Sequence, residues 1–599
     1  MTPQTALDTS RLPQWDLSDL YPAMDCADLT RDFDRLEQRA ASFSDKYKSR
    51  LADLTAEEAQ ESLAEYEAVE EIMGRIMSYA GLLHAGDVTD PDIAKFYQSC
   101  HERLTRINTR LLFYTLEINR LDEAQIDGWL ENSAELARYR PWFDSIRQYR
   151  PHQLDDKLEE LLLEKTVSGR AAWVRLFDET MADLKFDFRD PATGDVQSVG
   201  AEQALDYLSD RDGARRKAAA DCLATRFQEN IRLFSHITNT LAKDKEIEDR
   251  WRNFDDPGAS RHLSNQVEKH VVDALVSAVK EAYPRLSHRY YRLKAQWFGV
   301  EKLNWWDRNA PLPRDDDRLY QWPEAQKVVL DAYGRFSPEL AAIGKRFFDN
   351  RWIDAPVRDG KSPGAFAHPT VPGAHPYLLL NYLGKTRDVM TLAHELGHGV
   401  HQVLAAPQGQ LLSDTPLTLA ETASVFGEML TFQSLLSQEQ DGRKRKSMIA
   451  AKVEDMLNTV VRQIAFYDFE EKVHAARKCG ELSADDLGDI WISVQRESLG
   501  DAIAFDDNYR TFWCYIPHFI HSPFYVYAYA FGDCLVNSLY ATYQRSPEGF
   551  QNKYFDMLKA GGSLRHKELL KPFGLDAGKA GFWATGLDMI SGFIDQLEK

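Results

Sequence analysis

Along residues 29–165, apolar positions recur at spacings of three and four between charged ones, as in EAQESLAEYEAVEEIMGRIMSYAGLLHAG and SCHERLTRINTRLLFYTLEINRL. That is the period of amphipathic helices, and it predicts packed helical hairpins with solvated charged faces. The period changes at residues 184–199, where LKFDFRDPATGDVQSV alternates apolar and polar residues on both sides of an Asp-Pro-Ala-Thr-Gly-Asp turn. A β-hairpin is predicted there, and with it a lobe boundary. Helical spacing returns over residues 200–350 and includes the cluster Arg215, Arg216 and Lys217, which reads as a solvated or salt-bridged face. Residues 351–382 are rich in Gly and Pro, and their apolar runs GAFAH (364–368) and PYLLLNY (376–382) are too short for helices. They predict two short strands joined by the loop PTVPGAH, one of which could hold an extended peptide along its edge or only shape a cleft wall. A helix is then expected from Thr386 as N-cap to about residue 406, with Asp388 in its first turn and Pro407 and Gly409 ending it. Pro416 starts a second helix through LTLAETASVFGEMLTFQSLL, and further helices follow over residues 443–470 and 485–495. The pattern predicts a mainly α protein with a small β-sheet next to the 386–406 helix. The expected division is an N-terminal helical lobe at 1–199, ending in the hairpin, and a second helical domain at 200–599 that includes the 386–406 helix.

The first of those two helices carries the candidate chemistry. Its segment TLAHELGHGVH (391–401) contains His394, Glu395 and His398 in the order HExxH. Residues four apart share a helix face, so two imidazoles can address one ion, and Glu395 can lie beside a water and take its proton. A catalytic zinc commonly takes three protein ligands. His401 lies about 10.5 Å along the axis from His394 and cannot complete the set on an unbroken helix. A metzincin would need histidine at position 404, where this chain has Leu404. The remaining candidates are Glu421 and Glu428 on the second helix. Glu421, near its start, is the preferred third ligand, with Glu428 the outer or reserve group. His368 and His375 read as loop residues rather than ligands.

Composition narrows the partners. The chain has 599 residues, 44% hydrophobic and 28% charged, with a formal charge of −21, which disfavours nucleic acid or an anionic membrane as main partner. No run of about 18 apolar residues predicts a membrane span, and the N-terminal stretch lacks a secretory pattern. The six cysteines form no CxxC pair, as expected of ordinary thiols in a cytoplasmic protein.

The runs NYLGKTRDVMTLAHELGHGVHQ and LAETASVFGEML together resemble the M3 family of zinc oligopeptidases, more closely its oligoendopeptidase F branch and more distantly thimet oligopeptidase. The likeness extends to WDLSDLYP at Trp15, the GAF segment at Gly364 and IPHF...PFYVYAYAFG, so it spans nearly the whole chain. The resemblance implies a two-lobed helical ellipsoid with a deep central channel, a bound Zn2+ held by His394, His398 and the Glu421 of an ExxS segment, and short unfolded oligopeptides as substrates. It also implies that His518 and Tyr527 stabilise the oxyanion or grip the peptide. The family's further tyrosine positions fall on Pro523 and Ala530, which shifts those roles to Tyr525 and Tyr529. On a helix Tyr525 and Tyr529 share a side and Tyr527 lies about 200° from Tyr525, so the three cannot face one point. The expectation is therefore a zinc endopeptidase with Glu395 as general base. A dipeptidyl-type exopeptidase of the same fold and a non-catalytic helical peptide-binding scaffold are the rivals.

Overall fold

Helices dominate the computed structural model, which describes residues 7–312 and 318–599, with backbone alone at residues 160, 163, 164 and 417. The first six residues of the N-terminal stretch considered above lie outside the described residues. Contacts divide the chain into two units: Met1–Arg150, Asp317–Gln438 and Thr542–Leu575 form one, and Pro151–Asp316, Glu439–Ala541 and Asp576–Lys599 form the other. Each unit is built from three separate segments, in contrast to the contiguous division at 199/200 expected from the sequence.

In the first unit, helices Ala27–Tyr47, Ala56–Gly86 and Pro91–Arg120 pack on one another. Their apolar stripes meet at Phe43, Leu63 and Tyr114, all buried, with the Phe43 and Tyr114 rings edge-on at 5.1 Å. Burying one such side chain contributes about 1.5–3 kcal/mol, so the stripe and not the charged face holds these helices together. Thr55 and Glu58 close a reciprocal cap at the start of Ala56–Gly86, satisfying two amides that the helix leaves free.

Helices Trp322–Phe336 and Pro338–Asp349 lead into a three-stranded sheet. Its middle strand, Tyr377–Leu379, runs parallel to Ile353–Asp354 and antiparallel to Phe366–His368. All three middle-strand residues are inaccessible to solvent, which is why the sequence there reads as an unbroken apolar run. Both strands expected from the sequence are present. Ile353–Asp354, only two residues long, is too short to show a period. The HExxH helix, Thr386–Ala405, packs on the Phe366–His368 strand and on helices Pro338–Asp349 and Leu417–Gln438.

The second unit is organised along the long helix Gly213–Trp251. The hairpin forms as expected, Phe186–Arg189 against Val196–Val199 with Phe186 opposite Val199. It lies inside this unit, well past the change of unit at residue 150. The basic cluster is salt-bridged: Arg215 to Asp190 and Asp210, Arg216 to Asp307, Lys217 to Asp221. Among the described residues no helix is long and apolar enough to cross a membrane.

Candidate metal centre

The HExxH helix begins one residue earlier than its sequence suggests. Lys385 is the N-cap residue, and the Asp388 carboxylate accepts the N–H of Lys385 at 2.9 Å and of Leu383 at 3.0 Å. A carboxylate in the first turn also suits the helix dipole, which is the role expected of Asp388. Leu392, Ala393, Leu396 and Val400 are fully buried and fix which way the helix faces. Gly397 decides how close the next helix comes. A Cβ there would lie 2.5 Å from the Ala423 carbonyl oxygen and 2.6 Å from Ser424 Cα. Only hydrogen fits, so the two backbones touch and Glu421 reaches across. On the other side, Tyr333 donates a hydrogen bond to the Ala393 carbonyl at 2.6 Å and fills the space beside Gly427.

This packing gathers His394, His398 and Glu421 into one group whose ligand atoms all lie within 4.8 Å of one another. Glu421 Oε2 is 3.3 Å from His394 Nε2 and 3.5 Å from His398 Nε2. Ligands about 2.0–2.1 Å from a tetrahedral ion stand roughly 3.3 Å apart, so the donor set fits a small divalent metal in both chemistry and spacing. Ser424 donates to Glu421 Oε2 at 2.6 Å, holding the carboxylate in place. Glu428 Oε2 lies 3.3 Å from His394 Nδ1. It thereby takes the outer place allowed for it in the sequence and directs His394 Nε2 toward Glu421, as carboxylates behind metal-binding histidines do.

The charges describe a cation site. Burial works against a charged His394, but hydrogen bonding to Glu428 and the charges of Glu421 and Glu395 outweigh it and hold the imidazole up at about 9. A proton is thus retained where a metal would replace it. Burial pushes His398 down to about 4 despite the adjacent Glu421. Glu395 is 7% exposed, and burial raises its carboxyl to about 7, opposed by the His394 charge and by the Ala367 N–H that it accepts. Ala367 belongs to the edge strand, so the strand meets the site through its main chain. That contact has no sequence signature.

The other histidines of this unit are engaged elsewhere. His401 is buried and outside the ligand group. His368 Nε2 contacts Ser78 Oγ at 2.9 Å, and His375 stacks on Trp352 and contacts Asp19 at 2.9 Å.

The remaining expected site residues belong to the second unit. His518 Nε2 is 3.2 Å from the Tyr529 hydroxyl, and its ring lies parallel to Tyr525 at 6.0 Å. These three partly exposed groups form one patch. Tyr527 does not join it, which corrects the expectation that it acts with His518. It is inaccessible to solvent, and its hydroxyl accepts from Asn265 at 2.9 Å and contacts His262 at 3.2 Å. The single helix assumed for the three tyrosines does not form: the helix begins at Tyr527, which turns into the core, while Tyr525 precedes it in the turn after the left-handed Phe524 and meets Tyr529 from there. A residue that sequence reasoning passed over, Glu470, supports the patch from below. Its buried carboxyl accepts the Phe524 N–H at 2.8 Å, bracing a turn in which Phe524 adopts a left-handed φ of 60°. Burial raises this carboxyl to about 8.

Two helix-borne imidazoles, a carboxylate from the following helix and a buried glutamate beside them, in a mainly α chain, define the class of metallopeptidases. Comparison with known proteins specifies which. The family model described as Peptidase family M3 matches residues 336–589, which include every site residue named above, and that of Oligopeptidase F matches residues 117–186. Residues 336–589 are thus a peptidase segment of the family M3 type. It is 26% identical over 592 residues to Oligopeptidase PepF of Bacillus subtilis, covering 98% of this chain and 87% of that one. The Oligoendopeptidase F homolog of Borreliella burgdorferi is also 26% identical, with 98% of each chain covered. The crystal structure of oligoendopeptidase-F from Enterococcus faecium shares the fold, with a TM-score of 0.73 at 23% identity over 95% of this chain and 98% of that one. The protein is a peptidase, and its substrates are peptides.

Proposed function

We propose that the chain is a zinc-dependent endopeptidase that hydrolyses internal bonds of short, unfolded oligopeptides. The observation that carries this reading is the placement of Glu421 Oε2 at 3.3 and 3.5 Å from the two HExxH imidazoles. His394 and His398 would hold the ion through Nε2 and Glu421 through its carboxylate. When bound, zinc supplies a Lewis acid that polarises the scissile carbonyl and makes water more acidic.

The chain's own groups do the rest. Glu395 takes the proton of the attacking water at its carboxylate oxygen and then delivers it to the leaving amine, and the low polarity that raises its carboxyl to about 7 suits a group that must both accept and release a proton. Glu428 fixes the ring of His394, and Ser424 fixes the carboxylate of Glu421. We assign substrate binding to His518, Tyr525 and Tyr529, on the strength of their grouping and of the family resemblance of that stretch. Restriction to short peptides comes from the resemblance alone. A cytoplasmic location accords with six cysteines that are all free thiols.

Peptides blocked at both termini test the reading. The wild-type protein should cut them internally, lose that activity on dialysis against a chelator and regain it with one equivalent of zinc. Cleavage of unblocked peptides alone would establish an exopeptidase, and binding without cleavage a scaffold.

A further inference from the structure

A group of polar donors in the second unit has no acceptor. Three buried nitrogens lack a hydrogen-bond partner there: Arg462 Nε, Trp491 Nε1 and Gln495 Nε2. Trp491 and Gln495 are each 1% exposed and stand one turn apart on helix Ala484–Leu499, so they present to the same side. Both touch Tyr509: the Trp491 ring lies 5.8 Å from the tyrosine ring, and the Gln495 amide oxygen is 3.4 Å from its hydroxyl. Arg462 reaches the same place from helix Val461–Cys479. Its guanidinium lies 4.9 Å over Phe466, whose ring is 5.6 Å from Trp491, and donates to the Tyr515 hydroxyl at 3.2 Å. Arg308 hydrogen-bonds Tyr509 and lies within electrostatic reach of Tyr515.

Neither arginine has a carboxylate partner among the described residues: Arg308 donates to the Asn309 amide oxygen at 3.4 Å and otherwise faces tyrosines. Glu454, an acid that shares Tyr291 as a neighbour with both arginines, is taken up by Lys294 at 2.5 Å and Tyr290 at 2.7 Å. In a chain of net charge −21, two guanidiniums facing the same tyrosines without a carboxylate partner are a conspicuous exception. A buried donor without an acceptor costs roughly 1–3 kcal/mol, and a charged one more. Three such donors, one of them on Arg462 itself, with Arg308 as a second guanidinium beside the same tyrosine, call for an acceptor of negative charge.

We propose that the donors gathered around Tyr509 form a binding site for a compact monovalent anion, a carboxylate or a halide. The two inaccessible donors limit its size, and the partly exposed arginines and Tyr515 make its open side. Such an ion comes either from solution or as the terminal carboxylate of a peptide.

The full-length, metal-loaded protein is titrated with sodium chloride and with sodium acetate at constant ionic strength, the balance being isethionate, a bulky sulfonate. Melting temperature and tryptophan emission are read. The site predicts a saturable rise of at least about 1 °C and a matching change in emission with either small anion. Arg462→Met and Trp491→Phe should each move the midpoint upward about tenfold or more; the second keeps the ring and reads the site even if the first does not fold. Equal melting temperatures in all three salts, or variants that titrate as the wild type does, would overturn the proposal. Competition sets the source: a peptide with a free C-terminus displacing chloride where its amide does not assigns the site to substrate, and no difference assigns it to a solution ion. None of these readouts involves turnover, so failure here is separate from failure of the peptidase reading.

Discussion

Glu421, Glu428 and Tyr527 show what single positions contribute. Glu421 touches both imidazoles at Nε2, whereas Glu428 meets His394 at Nδ1, the nitrogen turned away from that group. Glu428→Gln should therefore leave the ligand set intact and weaken metal retention by about 10–100-fold, read by competition with a chromogenic chelator. Tyr527 makes a different case. Its hydroxyl is spent on Asn265 and His262 in a buried network, so Tyr527→Phe should lower stability by about 1 kcal/mol, seen in denaturant melts, and leave kcat and KM within about twofold. A large loss of kcat would restore it to the reaction. The pairing of His394 with His398 was legible because HExxH has a helical period that chemistry can be read from directly, whereas Glu421 comes from the following helix. The tyrosines were less legible, since their separation comes from a turn at Phe524 that puts Tyr525 ahead of the helix Tyr527–Arg545, and a periodic reading of one helix through all three does not contain that turn.

At the scale of elements, the site depends on two helices meeting at Gly397. Gly397→Ala places a methyl against the Ala423 carbonyl and Ser424 Cα, and backbone cannot yield as a flexible side chain would. It should cost about 2–3 kcal/mol in a denaturant melt and weaken metal retention along with it. Glu470 makes a prediction of opposite kind, about pH. Its carboxyl is raised from the ordinary 4.5 to about 8 by burial, so the folded state holds the proton more tightly than the unfolded one. The favourable contribution is complete below about pH 4.5 and is lost as pH rises through 8. Glu470→Gln cannot ionise, and its amide oxygen can still accept the Phe524 N–H. The wild type should lose melting temperature between pH 6.5 and 9 more steeply than this variant, and parallel curves would show that the carboxyl does not titrate there. Nothing in the one-dimensional pattern marks Glu470, which occupies an apolar helix face like its neighbours. Only the turn it braces, distant in sequence, explains it.

For the whole molecule, local pattern predicted the helices, the hairpin at 186–199 and the two strands flanking PTVPGAH, but not how the chain is shared between units. Periodicity sees neighbours within a few residues. The return of Asp317–Gln438 and Thr542–Leu575 to the unit of the N-terminal helices is decided by which apolar faces fit, as where Phe336 meets Phe426 and Tyr554. The same long-range packing puts Ala367 beside Glu395. The account as a whole rests on a metal held by His394, His398 and Glu421 with Glu395 moving the proton. Metal content and turnover of a doubly blocked peptide, measured on one preparation of Glu395→Gln beside wild type, test it most directly. The account predicts close to one zinc per chain in both proteins and a loss of kcat of about 10²–10⁴-fold or more in the variant. Undiminished turnover in Glu395→Gln, or wild-type activity in protein that carries no metal, would contradict it.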